Sequence, residues 1–233
     1  MKIALLGYGK MGKVIEKIAL ERHHEIVLRK SRNESFEGIE KADVAIDFSV
    51  PESAVENISY CIEKGIPIVS GTTGWLENYP KMVSLCEQHK AAFIYGSNFS
   101  LGVNLFFELN NFLAQMMGKF KEYDVVMEEI HHTQKLDKPS GTAISLANAI
   151  LNHTSKNQWS IEEPTQDDLF IDVKRIDAVP GTHSVIYNSV VDSIEIKHTA
   201  HSRDGFALGA VIAAEWILGK TGVFTMKDVL DLN

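Results

Sequence analysis

Lys2-Ile3-Ala4-Leu5-Leu6-Gly7-Tyr8-Gly9-Lys10-Met11-Gly12 decides the first half of the fold. Residues 2–6 form a continuous apolar run, as in a strand buried on both faces of a parallel sheet. The run leads straight into a GxGxxG turn. Behind it, Met11, Ile15, Ile18 and Ala19 fall on one side of a helix. Strand, glycine turn and helix in that order are the dinucleotide fingerprint in its proper setting. Gly7 makes the tight turn, Gly9 lets backbone approach a pyrophosphate, and Gly12 lets the helix lie on the strand. Glu25-Ile26-Val27-Leu28 then follows at the distance a second parallel strand requires.

Outward from there the alternation of strand and helix repeats. Residues 42–48 read as a strand. Pro51 opens a helix that carries Ala54, Ile58, Cys61 and Ile62 and stops at Gly65. Residues 66–70 are a strand ending in Gly71-Thr72-Thr73-Gly74. A helix covers 76–89, and 91–95 is a strand ending in Gly96-Ser97-Asn98-Phe99-Ser100. Ligands of open α/β sheets bind at such strand ends. The second strand ends in Arg29-Lys30-Ser31-Arg32, without the acidic residue that usually holds the ribose hydroxyls of NAD. These cations suit a 2′-phosphate or form a solvated basic turn, and the residues leave both open.

Past Gly102 the period changes. Residues 102–117 read as a long apolar helix, with Phe106, Phe107, Leu109, Phe112 and Leu113 assigned to core. Residues 124–130, 169–176, 183–188 and 193–199 alternate like strands, so an antiparallel or mixed sheet is expected. Residues 152–168 read as a loop and 207–218 as a helix. Residues 219–233 read as a short segment returning to the first domain. The expected fold is α/β. A Rossmann-like parallel-sheet domain takes 1–102 and 204–233, and an α+β domain with an antiparallel or mixed sheet takes 103–203.

The chemistry is expected in Glu128-Glu129-Ile130-His131-His132-Thr133-Gln134-Lys135-Leu136-Asp137-Lys138-Pro139-Ser140-Gly141-Thr142-Ala143. A strand ends here, a polar loop follows, and an apolar helix begins. Ser140, Gly141 and Thr142 place free backbone N–H groups at that helix start, an anion site. Imidazoles and an ammonium beside an anion cradle fit a small acidic substrate that needs proton transfer. The histidines have no third metal ligand at a plausible spacing, so no metal is expected. Taken singly, each residue reads better as part of a solvated turn capping a helix; the cluster reverses that in favour of function.

Composition narrows the class. A formal charge of −8 over 233 residues disfavours nucleic acid as a partner. No apolar run has the length of about 18 residues that a membrane span needs. Cys61 and Cys86 fall in helical patterns and read as buried free thiols of a cytoplasmic protein.

The chain resembles the 4-hydroxy-tetrahydrodipicolinate reductase family of lysine and diaminopimelate synthesis. The likeness rests on GYGKMG at 7–12, DFS at 47–49, GTTG at 71–74, SNFSLGVN at 97–104, the 128–143 stretch, Gly181-Thr182-His183, and residues 198–206. The resemblance implies an NADPH- or NADH-dependent reduction of a cyclic imine dicarboxylate, with loss of water. It implies His131 and Lys135 as the catalytic proton-handling residues. His132, Ser140, Gly141 and Thr142 would hold substrate carboxylate. Gly7, Tyr8, Gly9, Lys10, Met11, Gly12, Gly71, Thr72, Thr73, Gly96, Ser97, Asn98 and Phe99 would hold the cofactor. Arg29 and Lys30 are added to that set for a 2′-phosphate, with NADPH somewhat preferred. Arg203 falls where the chain returns to the first domain. A homotetramer built through the second sheet is expected. Another amino-acid dehydrogenase of the aspartate or homoserine type would not explain HHxxK followed by PSGT. A non-catalytic nucleotide sensor would not keep the proton donors.

Overall fold

The structure is a computed structural model and describes residues 1–202 and 204–232. The chain divides into two compact units, Met1–Asn104 with Asp204–Asn233, and Leu105–Arg203.

The first unit is a parallel sheet with helices on both faces. Its strands are β1 (Lys2–Leu6), β2 (Glu25–Lys30), β3 (Val44–Asp47), β4 (Ile68–Ser70), β5 (Ala92–Tyr95) and β11 (Gly222–Phe224). Their order is β11-β5-β4-β3-β1-β2, and every pairing is parallel. Side-chain alternation sorts the core into two layers. Ile3, Leu5, Val44 and Ile46 pack with α1 (Lys10–Glu21), α6 (Asp204–Ile217) and Met226 of α7 (Met226–Val229). Ala4, Leu6, Ala45 and Ile68 face α2 (Pro51–Glu63) and α3 (Tyr79–His89). Both faces are covered, which is why β1 reads as an unbroken apolar run. Gly7 must be glycine: its φ is +94°, and a Cβ there would lie 2.3 Å from the Phe48 carbonyl oxygen.

The second unit holds a mixed sheet of β6 (Asp124–His131), β7 (Gln158–Ser160), β8 (Asp168–Arg175), β9 (Gly181–Asn188) and β10 (Ser193–Ala200), ordered β10-β9-β6-β8-β7. β9 is antiparallel to both β10 and β6, whereas β8 is parallel to β6 and β7. Alternate residues of β6 are buried. Val125 and Met127 pack with Phe106 and Leu113 of α4 (Leu101–Met117) and Leu146 and Ile150 of α5 (Gly141–Leu151).

Three expectations change. The 152–168 loop contains β7, which is short and brings only Trp159 as an apolar residue, so alternation has nothing to register. The terminal segment contains β11, paired to β5, and α7, closed by a capping box between Thr225 and Asp228. In α4, Phe106 and Leu113 are core as expected, but Leu109 and Phe112 are 50% and 58% exposed. That helix is apolar nearly all round, and the sheet covers one side of it.

Candidate functional site

Within the first unit, a cavity of about 250 Å³ opens at the ends of β1, β2 and β3. Gly7, Tyr8, Gly9, Lys30, Ser31, Arg32 and Phe48 are among its lining residues. Gly9 caps α1 without a side-chain hydrogen bond, so among the described residues the first-turn N–H groups are left for an anion. A Cβ on Gly9 would meet open space. Lys30 is 5% exposed, with its ammonium 4.5 Å from the centre of the Phe36 ring.

Arg29 lies outside this cavity. Its Nε donates to Glu16 at 2.9 Å, and its Nη2 also pairs with Glu16, which accepts from the Tyr8 hydroxyl as well. The Arg29 hydrogen bond holds the Glu16 carboxyl below its usual range. Adjacent strand residues face opposite ways, so Lys30 lines the cavity and Arg29 meets α1. The cation beside Lys30 in the lining is Arg32.

The other expected cofactor residues stand at strand ends or on α1 but do not line this cavity. Lys10 is exposed and Met11 half-buried in the first turn of α1, where Gly12 is buried. Gly71 lies under Phe48, whose ring would be 2.3 Å from an added Cβ. Thr72 is buried, and its hydroxyl bridges the Ser49 N–H and the Asp47 carboxyl, each at 2.8 Å. Asp47 also accepts from Asn57 and Ser70 at 2.8 Å, and burial pushes its pKa up. This network ties β3, β4 and α2 together, a role the sequence did not disclose. Thr73 and Ser97 are exposed, and Gly96 donates to the Ser70 carbonyl. Asn98 turns the chain by accepting from the Ser100 N–H at 2.9 Å. Phe99 is a core residue, 1% exposed.

Within the second unit, alternation along β6 puts Glu129 and His131 on the buried face. Strand register sets His183 opposite Glu129 and Arg175 beside His131. Ser140 caps α5, accepting from the Ala143 N–H at 3.1 Å, and its own N–H donates to Glu129 Oε2 at 3.0 Å. Ser140 Oγ is 3.1 Å from His183 Nε2. Among the described residues, nothing accepts the N–H groups of Gly141 and Thr142. The His131 and His183 rings stand edge to face, with centroids 5.0 Å apart. Lys135 is ion-paired to Asp137 at 2.8 Å, and His132 is half-buried on the loop.

Burial controls the charge states here. It pushes the His183 pKa down to about 3, with the neighbouring His131 adding to the shift. It also lowers His131, against the opposing pull of Glu129. Burial alone would raise Glu129, but hydrogen bonds from Ser140 and Arg175 hold the carboxyl below its usual range. Both imidazoles are therefore neutral near pH 7, beside a carboxylate.

Glu129, His131 and His183 bring ligand atoms within 4.8 Å of one another. The adjacent His132 is not part of this group: strand pairing instead brings His183, far away in sequence, to Glu129 and His131. Both Glu129 oxygens already accept hydrogen bonds, one from a guanidinium, while His131 Nδ1 and His183 Nε2 stand 3.7 and 3.8 Å from the carboxylate, outside hydrogen-bond range. Sequence reasoning gave no role to Glu129, Arg175 or His183. The available signal was Glu129 itself, since a carboxylate on the apolar phase of a strand needs a partner. Arg203 lies outside the described residues.

Residues 1–99 match the model for the N-terminus of dihydrodipicolinate reductase, and residues 102–230 match the model for its C-terminus. A 4-hydroxy-tetrahydrodipicolinate reductase of Christiangramia forsetii is 56% identical, over 99% of this chain and 98% of that one. The dipicolinate-bound dihydrodipicolinate reductase of Paenisporosarcina sp. TG-14 has a similar fold, with a TM-score of 0.76, 22% identity and 97% of each chain covered. A probable dehydrogenase of Thermotoga maritima is more distant, at TM-score 0.59 and 10% identity over 98% of this chain and 92% of that one. The two family models between them cover nearly the whole sequence, and the chain belongs to the dihydrodipicolinate reductase family.

Proposed function

We propose that the chain reduces 4-hydroxy-tetrahydrodipicolinate, with loss of water, to tetrahydrodipicolinate in lysine and diaminopimelate synthesis. The observation that carries this reading is the 56% identity to the Christiangramia forsetii reductase along almost the full length of both chains.

The first unit fits a nicotinamide nucleotide: the α1 N-terminus offers free N–H groups, and Gly9 leaves open space beside them. The bound nucleotide supplies a hydride. NADPH and NADH both serve, with NADPH preferred, because Lys30 and Arg32 line the cavity with Ser31 and Arg29 does not.

In the second unit, Lys135 donates the proton that completes reduction of the ring, and its ammonium pairs with a substrate carboxylate. Asp137 holds that ammonium until the carboxylate takes its place. His131, uncharged near pH 7, relays protons at the buried end of the loop. The N–H groups of Gly141 and Thr142 bind a carboxylate, with His132 beside them. The working form is a cytoplasmic homotetramer, associated through the face of the second sheet opposite α4 and α5. That face leaves Val126, Ile130, Phe170 and Ile186 half-exposed. The test is oxidation of NADPH and NADH by the purified protein with freshly made substrate. No oxidation of either nucleotide would refute the reading.

A further inference from the structure

Beyond His131 and Lys135, the loop that carries them is fastened at both ends by one buried ion pair. Arg175 ends β8, directly beside His131 in the sheet register. Its Nη2 donates to Glu129 Oε1 at 2.9 Å and to the Asp137 carbonyl at 2.6 Å. Its Nε reaches the Lys135 carbonyl at 3.3 Å, and its Nη1 the Lys174 carbonyl at 2.8 Å. One guanidinium therefore grips the loop backbone on both sides of Leu136, which is 93% exposed. Glu129 is fully buried, and its second oxygen accepts the Ser140 N–H where the loop becomes α5. The same oxygen lies 3.7 Å from His131 Nδ1, a buried ring nitrogen without a hydrogen-bond partner among the described residues.

We propose that Glu129 and Arg175 are positioning residues for this reaction: the pair fixes the backbone that carries Lys135 and aims the His131 ring. The inference rests on the reductase reading for its kinetic consequence and on the fold alone for its geometry. Only arginine meets the demand at Arg175. Its planar fork serves a carboxylate and several carbonyls at once, whereas an ammonium is a point donor. A buried ion pair is seldom kept for stability alone, since apolar residues of equal volume serve as well. Here the pair lies between the apolar core of the sheet and the loop: Arg175 also holds the Lys174 carbonyl of its own strand, but its bonds to the Lys135 and Asp137 carbonyls and the Glu129 bond from Ser140 set the loop's path, and Glu129 faces His131.

The charged groups facing His131 are Glu129 and Asp137 on one side of the balance and Lys135 and Arg175 on the other, with His183 uncharged. Removing one charge at a time must then move His131 in opposite directions. The experiment uses the full chain. The His131 imidazole is titrated by NMR, with its signal assigned by loss in His131→Gln. Turnover, KM for freshly made substrate, NADPH affinity and melting temperature accompany it. Glu129→Gln should lower the His131 midpoint and Arg175→Met should raise it. Arg175→Lys should leave the midpoint in place yet cost on the order of 10²-fold in kcat, the usual effect of slightly misplacing a catalytic group. NADPH affinity should hold in every variant. Unmoved midpoints with near-wild-type turnover would overturn the proposal. So would variants that lose nucleotide affinity and melting temperature along with turnover. If Glu129→Gln fails to fold, Arg175→Lys decides on the kcat loss alone. If the wild-type chain does not turn over, the reductase reading falls, and the titration still tests the geometry.

Discussion

If NADPH is preferred as proposed, replacing Lys30 by methionine should reverse that preference toward NADH. Methionine keeps an unbranched side chain of similar size and removes the ammonium that lies over Phe36. Lys30 is 5% exposed, so its ammonium meets a phosphate with little solvent screening. A charge-assisted hydrogen bond of this kind contributes about 1.5–3 kcal/mol. At about 1.4 kcal/mol per tenfold, NADPH affinity should fall by about 10- to 150-fold. NADH lacks the 2′-phosphate and should change by less than about threefold, through the lost ring contact alone. Arg32 is exposed in the same lining, so Arg32→Ala should cost NADPH no more than about fivefold, and less in high salt. Arg29→Ala is the control: its guanidinium is committed to Glu16, so both nucleotides should respond alike. The assay is the Kd of each nucleotide by fluorescence titration, with KM measured in parallel. Equal losses for NADPH and NADH in Lys30→Met would refute the assignment of Lys30 to the 2′-phosphate.

Lys135→Ala should lower kcat by about 10²–10⁴-fold and raise substrate KM, with NADPH affinity intact; near-wild-type turnover in a folded variant would remove Lys135 from the chemistry. His131→Ala should depress kcat more than KM, and a KM-only effect would assign it to binding. The depressed His183 pKa makes stability pH-dependent. The unfolded ring takes a proton near pH 6.5 and the folded ring only near about 3, so stability is lost as pH falls across that window, by up to about 1.4 kcal/mol per unit. His183→Gln should flatten the melting temperature between pH 6 and pH 4, and an unchanged slope would show that other groups carry it. Sedimentation at micromolar concentration should find an oligomer, and Ile186→Glu on the half-exposed sheet face should break it; a wild-type monomer would refute the assembly.

Some of this was legible in the sequence because its signals are local. A glycine turn between a buried strand and an amphipathic helix specifies the first unit within a dozen residues. The loop from His131 to Thr142 stood out because reactive side chains crowd beside a helix start. What escaped depends on facing and pairing. Arg29 and Lys30 are neighbours on β2, and the sequence does not say which of them points at the cavity; the answer came from Glu16 on α1, which holds Arg29. β7 and β11 are too short for any period to register, and each exists because a longer strand offers it an edge. Leu109 and Phe112 look like core in a helix apolar on most sides, and only the sheet decides which side is covered.

Glu129 was missed for a reason that also explains where the site lies. Val125, Met127, Glu129 and His131 share one face of β6, opposite Tyr187, Val185 and His183 of β9. At one end of the sheet that face is apolar and packs under α4 and α5. Two residues further on, with no change of period or burial, it becomes carboxylate and imidazole. The same alternation that drives Met127 into the core drives Glu129 into it, and leaves that carboxylate to find Arg175 and the Ser140 N–H as partners. Burial of those polar groups opposes stability, and the apolar half of the face offsets it. In return His131, proposed to relay protons, is held by a strand, while the loop around Leu136 that carries Lys135 meets solvent. Sequence patterning marks such a position as an error in the strand; the fold uses it as the point where core becomes site.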